Sequence, residues 1–157
     1  MTGPRCAWSI ATFCTVHGNT PMLEAACRAA TDVGVLAVTV LTSLDGTDLA
    51  ATGISGSAKD QVKRLTELAG EAGIDGIVCS GEEVAAARDT WPEGFFVVPG
   101  VRPEGGDVAD QKRVVTPFDA LNDGASVLVI GRPITGAADP GQAVRDIMES
   151  LEREVFP

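Results

Sequence analysis

Short apolar runs alternate with amphipathic segments along the chain, and this alternation predicts five strands, each followed by a helix. The clearest strand is apolar on both faces, as expected of a parallel strand that is covered on both sides. Two helices, one over about 57–72 and one that begins at Asp139-Pro140, carry their apolar residues along a single stripe. The predicted strands are Ser9–Val16, Val35–Leu41, Gly76–Cys79, Phe95–Val98 and Ser126–Ile130.

Capping residues and prolines mark where the remaining helices begin and end. Thr20-Pro21 and Thr116-Pro117 each place a hydroxyl before a proline, which suits a helix N-cap and first turn. Gly124 is expected to end the second of these helices. A further helix is predicted from Glu82 to about Asp89, and the stretch between the second strand and about residue 57 is expected to be a Gly-rich loop.

Strands separated by helices predict right-handed parallel βα units, so the fold class is α/β. Two parallel architectures remain open at this point. A doubly wound open sheet of five strands is self-sufficient at 157 residues, whereas a complete (β/α)₈ barrel needs about 250 residues. No linker or low-complexity segment divides the chain, so residues 1–157 are expected to form a single domain, with residues 1–9 as an atypical leader.

Composition excludes some classes of partner. The net charge of −10 argues against nucleic acid and against an anionic membrane surface. No apolar stretch approaches the roughly 20 residues of a membrane span. The four cysteines form no C-x-x-C pair and the one histidine is His17, so no metal site is expected, and the thiols suggest a reducing, cytoplasmic location.

Polar residues suited to chemistry follow each predicted strand, where the active sites of parallel α/β proteins gather. They are His17, Gly18 and Asn19, then Thr42 and Ser43, then Ser80, then Arg102 and Gln111, and finally Gly131 and Arg132.

Two of these loops suit a phosphate. In 99–106, glycines let the backbone approach a ligand closely, and Gly131 and Arg132 offer a backbone N–H and a bidentate guanidinium. Each feature also has an ordinary structural interpretation: a Gly-Arg-Pro turn, a helix-capping Thr42 or Ser43, a hydrogen-bonded His17 or a surface Gln111.

At this point the sequence resembles the orotidine 5'-monophosphate decarboxylase family. The resemblance covers the chain from residue 15 to residue 153, in the order and spacing of the family's strands four to eight. The matching motifs are Thr-Val-His-Gly-Asn-Thr (15–20), Leu-Ala-Val-Thr-Val-Leu-Thr-Ser (36–43), Asp-Gly-Ile-Val-Cys-Ser (75–80), Val-Pro-Gly-Val-Arg-Pro (98–103), Asp-Gln-Lys-Arg-Val-Val-Thr-Pro (110–117) and Val-Ile-Gly-Arg-Pro-Ile-Thr (129–135).

The resemblance implies a partial (β/α)₈ barrel, and it implies roles for five residues. Thr42 would contact the pyrimidine edge, Arg102 would lie in the loop after the barrel's seventh strand, and Gln111 would close over the phosphate. Gly131 and Arg132 would grip that phosphate after the eighth strand. His17 and Ser43 are further possible contacts. The implied ligands are orotidine and uridine monophosphate, with no cofactor or metal.

The family's catalytic array, Asp-x-Lys-x-x-Asp, occurs nowhere in the 157 residues. The resemblance therefore implies a truncated carbon–carbon lyase of pyrimidine biosynthesis that is inactive alone. It also implies association, either as a homodimer or with a complementing chain. The alternatives are a non-catalytic nucleotide-monophosphate or phosphate-binding module, and a fragment of another phosphate-binding barrel.

Overall fold

The computed structural model of the protein describes residues 11–15, 20–103 and 114–155. Five strands and seven helices follow one another within these residues. The strands are β1 (Ala11–Thr15), β2 (Gly34–Val38), β3 (Gly76–Val78), β4 (Phe95–Pro99) and β5 (Val127–Val129). The helices are α1 (Thr20–Ala29), α2 (Gly46–Ala51), α3 (Ala58–Glu71), α4 (Gly81–Thr90), α5 (Pro117–Asn122), α6 (Arg132–Thr135) and α7 (Pro140–Val155).

The strands form one parallel sheet in the order β1-β2-β3-β4-β5, so each strand pairs with the strand that precedes it in the chain. Right-handed crossovers between strands added in one direction place the helices on the same face of the sheet. A doubly wound sheet would reverse its strand order and carry helices on both faces. The sequential order is that of a barrel, and it decides between the two architectures that the sequence left open.

The face of the sheet that packs against the helices forms the main core. Alternate strand residues, including Ala37, Ile77 and Phe96, are fully buried against Leu23 of α1 and Val62 of α3. This is the period of two expected of strands and the single apolar stripe expected of helices.

The opposite face of the sheet is also apolar, but its burial falls off toward one edge. Leu36 and Val97 are buried, whereas Val127 and Val129 on the edge strand β5 are 42% and 47% exposed. In a closed barrel this face points inward and is filled by side chains.

The amino-terminal ends of β4 and β5 are joined by the guanidinium of Arg88, on α4. It donates hydrogen bonds to the carbonyls of Pro92, Gly94 and Gly124 at 2.7, 2.9 and 2.6 Å, and it lies 4.2 Å from the centre of the Phe96 ring. Burial lowers the pKa of Arg88, but a guanidinium stays charged at any ordinary pH. One side chain therefore links two strand starts and the end of α5, at the end of the sheet away from the strand carboxyl ends.

The structure corrects three expectations. The second strand was expected to reach Leu41 but ends at Val38, because its partner β3 ends at Val78, whose carbonyl accepts from both the N–H and the hydroxyl of Thr39. The expected loop before α3 contains α2, which Asp45 caps through the N–H groups of Thr47 and Asp48.

The third correction concerns the loop after β5, which forms the short helix α6 with Pro133 in its first turn. None of the helices described in the structure combines the length and the apolar composition needed to cross a membrane.

Candidate functional site at the carboxyl-terminal rim

The carboxyl ends of the strands are aligned by the register of the sheet. Val38 pairs with Val78, Val78 with Val97, and Val97 with Val127, so these four residues form one row across the sheet. Residues that follow this row lie on a single rim, which is where the sequence placed its candidate residues. The described rim residues are Thr42, Ser43, Ser80, Arg102, Gly131 and Arg132.

Arg102 follows β4 and is only 7% exposed. Its backbone N–H donates to the carbonyl of Val115 at 2.9 Å, and its Nη1 donates to the carbonyl of Val101 at 2.8 Å. Val101 and Val115 also form a parallel bridge, so the chain that leaves β4 is tied to the segment that enters α5. The hydrogen bond to the Val101 carbonyl therefore restrains the guanidinium. Less side-chain entropy is then lost when a ligand binds to it.

Arg132 occupies the corresponding place after β5 but is exposed. It begins α6, whose turn is closed by hydrogen bonds from the N–H groups of Ile134 and Thr135 to the carbonyl of Gly131. A Cβ built on Gly131 would have none of the described atoms within 4 Å, so the backbone here faces open space. An exposed guanidinium beside an accessible backbone is an arrangement that can receive phosphate oxygens.

Behind these two loops lies a pocket of about 490 Å³ between α5, α6 and α7, lined in part by Pro103, Pro133 and Phe118. Pro103 directly follows Arg102, and Pro133 directly follows Arg132. Neither arginine lines this pocket. The two prolines thus belong to the pocket, and the arginines before them do not.

Thr42 and Ser43 follow β2 in a turn and differ in exposure. Thr42 is 9% exposed, whereas Ser43 is exposed. The turn is closed by the N–H of Leu44, which donates to the carbonyl of Leu41 at 3.0 Å. Thr42 is thus placed where its hydroxyl is shielded from bulk water, and Ser43 is not.

The sequence reasoning missed a buried polar pair on the same rim. It began a helix at Glu82 and gave Glu83 no separate role, yet Glu82 is exposed and Glu83 is 2% exposed. The hydroxyl of Ser80, which is fully buried, donates to Oε2 of Glu83. The sequence places Glu83 three residues after Ser80, but Ser80 makes no capping hydrogen bond to the backbone of α4.

Gly81, the first residue of α4, lies against the segment that holds Arg102. A Cβ at Gly81 would fall 2.0 Å from Cγ2 of Val115, closer than real side-chain contacts allow. The glycine thus lets α4 approach the bridge between Val101 and Val115. The close approach of Gly81 to Val115 connects the loops that follow β3 and β4.

His17 and Gln111 lie outside the described residues, so their predicted contacts stay predictions. In the described part of the chain, no three His, Cys, Asp or Glu side chains group as a metal site requires. Cys14 and Cys27 are free thiols, and burial raises the pKa of both.

A parallel sheet whose strands pair in chain order defines a class, the βα barrels. The model of the orotidine 5'-phosphate decarboxylase / HUMPS family matches residues 5–147. The chain therefore belongs to that family.

Relatives of known name and structure agree with this assignment. The orotidine 5'-phosphate decarboxylase of Sphingopyxis alaskensis is 58% identical over 140 residues, which are 87% of this chain and 62% of that protein. The protein of the same name from Erythrobacter litoralis matches with the same identity and the same shares. The crystal structure of orotidine 5'-phosphate decarboxylase from Lactobacillus acidophilus superimposes with a TM-score of 0.73 at 31% identity, over 89% of this chain and 62% of that one. The chain thus spans about 62% of the length of these relatives.

Proposed function

We propose that the rim binds a pyrimidine nucleoside monophosphate, either orotidine or uridine monophosphate. We further propose that the chain is the phosphate-binding part of an orotidine 5'-phosphate decarboxylase in pyrimidine biosynthesis. The observation that carries the proposal is the equivalent placement of Arg102 and Arg132 after neighbouring in-register strands. Identity of 58% to relatives that bear this enzyme's name supports the same reaction over that of another phosphate-binding barrel.

The two arginines differ in burial, and we assign them different tasks. Arg132 is exposed, so its planar guanidinium can bind two phosphate oxygens in a bidentate manner. Arg102 is buried and bonded to backbone carbonyl, so it fixes its loop and contributes positive charge to the rim. Thr42 contacts the pyrimidine edge through its shielded hydroxyl, and Gln111 closes over the phosphate.

The catalytic step needs groups that this sequence does not contain. Loss of CO₂ from the pyrimidine leaves a carbanion that a positioned lysine protonates, and neighbouring carboxylates hold that lysine in place. Lys59 and Lys63 are exposed on α3, on the helix side of the sheet, and the remaining lysine, Lys112, lies outside the described residues. Phosphate binding lowers a barrel enzyme's barrier only when the reacting groups are also present. The 157-residue chain alone is therefore a binding protein without useful turnover.

Activity then depends on association. We propose that the missing lysine and carboxylates come from a complementing polypeptide, and that the chain otherwise self-associates as a homodimer. Cys14 and Cys27 are free thiols, in keeping with a reducing, cytoplasmic location. Neither nucleic acid nor a membrane is among the proposed partners, since the net charge is −10.

A second candidate function is a nucleotide-monophosphate-binding module with no catalytic role. The absence of an Asp-x-Lys-x-x-Asp array from the 157 residues favours it. The two candidates share the rim and differ in whether a completed barrel turns over.

Calorimetry of the purified chain with uridine monophosphate and with uridine tests the binding proposal. We expect binding that depends on the phosphate, and equal affinity for the two ligands would contradict it. An absorbance assay with orotidine monophosphate, on the chain alone and then mixed with a polypeptide that carries the lysine–carboxylate array, tests the catalytic proposal. Turnover only in the mixture supports the decarboxylase, nucleotide binding without turnover in either sample supports the module, and rapid turnover by the chain alone overturns the assignment of roles.

A further inference from the structure

The pocket of about 490 Å³ between α5, α6 and α7 is not used by the proposed nucleotide site. Its wall on α7 includes Ala143, Asp146, Ile147 and Ser150, whose spacings of three, four and seven residues put them on one face of the helix. This face is turned toward α5, since Ile147 is only 7% exposed and the two helices are in contact. The pocket is thus formed within two successive βα units of this chain.

Rigid rings make up much of the remaining lining. They are the pyrrolidine rings of Pro103, Pro117 and Pro133 and the aromatic ring of Phe118. Proline has almost no side-chain entropy to lose when a ligand packs on it, and aromatic rings favour flat apolar partners. Pockets that bind small molecules measure roughly 300–1,000 Å³ and are mostly apolar, with a few polar groups that fix the orientation of the ligand. Size and lining therefore suit a ligand with an aromatic body.

The polar side chains of the lining indicate the charge of that ligand. The hydroxyls of Thr116 and Ser150 donate to groups of their own helices, and a carboxylate oxygen of Asp146 accepts from Gln142 at 2.7 Å. Arg153 is exposed and forms no hydrogen bond or ion pair within the described part of the chain. A guanidinium binds a carboxylate in a bidentate manner, whereas a second carboxylate beside Asp146 would be repelled. An anionic group is therefore expected at the Arg153 end of the pocket.

We infer that this pocket is a second binding site, which takes a small aromatic carboxylate. The aromatic body packs on Pro103, Pro133 and Phe118, and the carboxylate pairs with Arg153. The site is separate from the rim, because neither of the two rim arginines lines it.

Occupancy of the pocket is coupled to the rim through two prolines. Pro103 follows Arg102 and Pro133 follows Arg132, and a proline ring restricts the backbone of the residue before it. A ligand that packs on both prolines reduces the conformational freedom of both arginine-bearing loops. Part of the ordering entropy is then already lost when the nucleotide binds, which makes the coupling positive. This step rests on the proposed function, since it takes the rim to bind a nucleoside monophosphate.

The experiment uses the 157-residue chain and two probes, 2-naphthoate and the neutral 2-naphthalenemethanol, with affinities measured by calorimetry in the absence of nucleotide. Ala143→Phe fills the pocket, and its matched control is Val144→Phe on the same helix. Arg153→Gln removes the charge, and its matched control is Arg145→Gln. Neither control residue is among the described residues that line the pocket. Circular dichroism confirms that each variant is folded.

We expect Ala143→Phe to weaken 2-naphthoate binding about tenfold or more, because the new ring occupies the space of the ligand. Arg153→Gln should weaken it about three- to tenfold and leave the affinity for 2-naphthalenemethanol unchanged, since only the anion uses the guanidinium. Both controls should bind like the wild type. Absence of 2-naphthoate binding to the wild type, equal weakening in a control, or equal loss of both probes in Arg153→Gln would overturn the inference.

A second titration, of uridine monophosphate in the presence of saturating 2-naphthoate, measures the coupling. Each ligand should tighten the other by the same factor, about fivefold, because coupling between two sites is reciprocal. Hydrogen exchange of the Ile134 and Thr135 amides, which bond to the Gly131 carbonyl, should slow when 2-naphthoate binds. Unchanged nucleotide affinity would overturn the coupling, and competition between the two ligands would place 2-naphthoate on the rim and overturn the second site. Binding of 2-naphthoate without binding of uridine monophosphate would contradict the proposed function alone, so the two failures are distinguishable.

Discussion

Arg102 and Arg132 each lie three residues beyond a strand residue, Pro99 and Val129, and those two residues are partners in the parallel pairing of β4 and β5. The two guanidinium-bearing loops therefore begin at the same height on neighbouring strands. They nevertheless differ in exposure, since Arg102 is buried and Arg132 is exposed. The pair combines one arginine that is fixed by the protein with one that solvent and ligands can reach.

Replacing the exposed member should remove nucleotide affinity without unfolding the protein. Arg132→Ala deletes a charge-assisted bidentate contact, which corresponds to about 1.5–3 kcal/mol, or roughly ten- to a hundredfold in the dissociation constant of uridine monophosphate. Arg132→Lys should restore only part of the affinity, because an ammonium lacks the planar fork. Arg64→Ala, on the exposed face of α3, is the control and should bind like the wild type. Calorimetry that gives one affinity for all three variants would rule out Arg132 as the phosphate ligand.

Gly81 and Val115 should show strong energetic coupling. Gly81→Ala places a methyl group 2.0 Å from Cγ2 of Val115, and we expect a loss of about 1–3 kcal/mol in the free energy of unfolding. Val115→Ala removes the two closest atoms, Cγ2 and Cγ1, and leaves Cβ at 2.9 Å, so the same alanine should cost less in that background. Gly46→Ala is the control, since its Cβ would have no neighbour within 4 Å. Urea denaturation of the double-mutant cycle measures the coupling, and additive losses would mean that α4 and the Arg102 segment are not in contact.

Arg88→Ala should destabilise the chain through a region remote from the rim. The substitution leaves the carbonyls of Pro92, Gly94 and Gly124 without a charged donor, which we expect to cost about 2–4 kcal/mol. Arg88→Lys should recover only part of this stability, because one ammonium group cannot reach all three carbonyl acceptors. Thermal unfolding in the presence and absence of uridine monophosphate tests whether Arg88 acts away from the nucleotide site. The stabilisation that the ligand confers should be as large in the variant as in the wild type, and a smaller value would place Arg88 in the binding machinery.

The N-cap of α3 should make stability sensitive to acid. Hydrogen bonds from the Ser57 hydroxyl at 2.7 Å and from its backbone N–H at 3.0 Å lower the pKa of Asp60, and Arg64 adds a smaller effect. Because the folded pKa lies below the unfolded value, this contribution is fully present above the unfolded pKa. It is lost as the pH falls through the folded pKa.

Ser57→Ala should therefore raise the pKa of Asp60 toward its ordinary value and reduce the dependence of stability on pH in the acid range. A pH titration of the Asp60 side-chain carboxyl by NMR measures the first effect directly. Asp60→Asn should abolish the contribution of this residue to the pH dependence of stability. An unchanged pKa in Ser57→Ala would show that the capping box does not control the titration.

The sequence predicted the order and type of the elements well because each is encoded locally. The apolar run at 35–41, the Thr-Pro starts of helices and the stripes of α3 and α7 all follow from residues that are near one another in the chain. What ended β2 at Val38 was the length of its partner β3, which no local pattern contains. The short helices α2 and α6 lie within single loops and have too few residues for a periodic signal.

The sequence could predict which loops form the site, but it could not predict how buried each side chain is. Parallel topology places residues after successive strands on one rim, so Arg102 and Arg132 could be brought together from sequence. Burial could not be read in the same way, since Glu82 and Glu83 are identical neighbours with opposite exposure. The packing of α4 against α3, β4 and α5 decides which of the two is buried, and that packing is a tertiary property.

The unbroken strand order has a consequence for how the protein is made. Every strand from β2 to β5 pairs with the strand synthesised immediately before it. A ribosome that releases the chain from its amino terminus thus delivers each βα unit to an edge that is already in place. In a sheet whose order reverses, some strand edges stay unpaired until a later unit has emerged. This sheet can therefore grow in the direction of translation, one βα unit at a time.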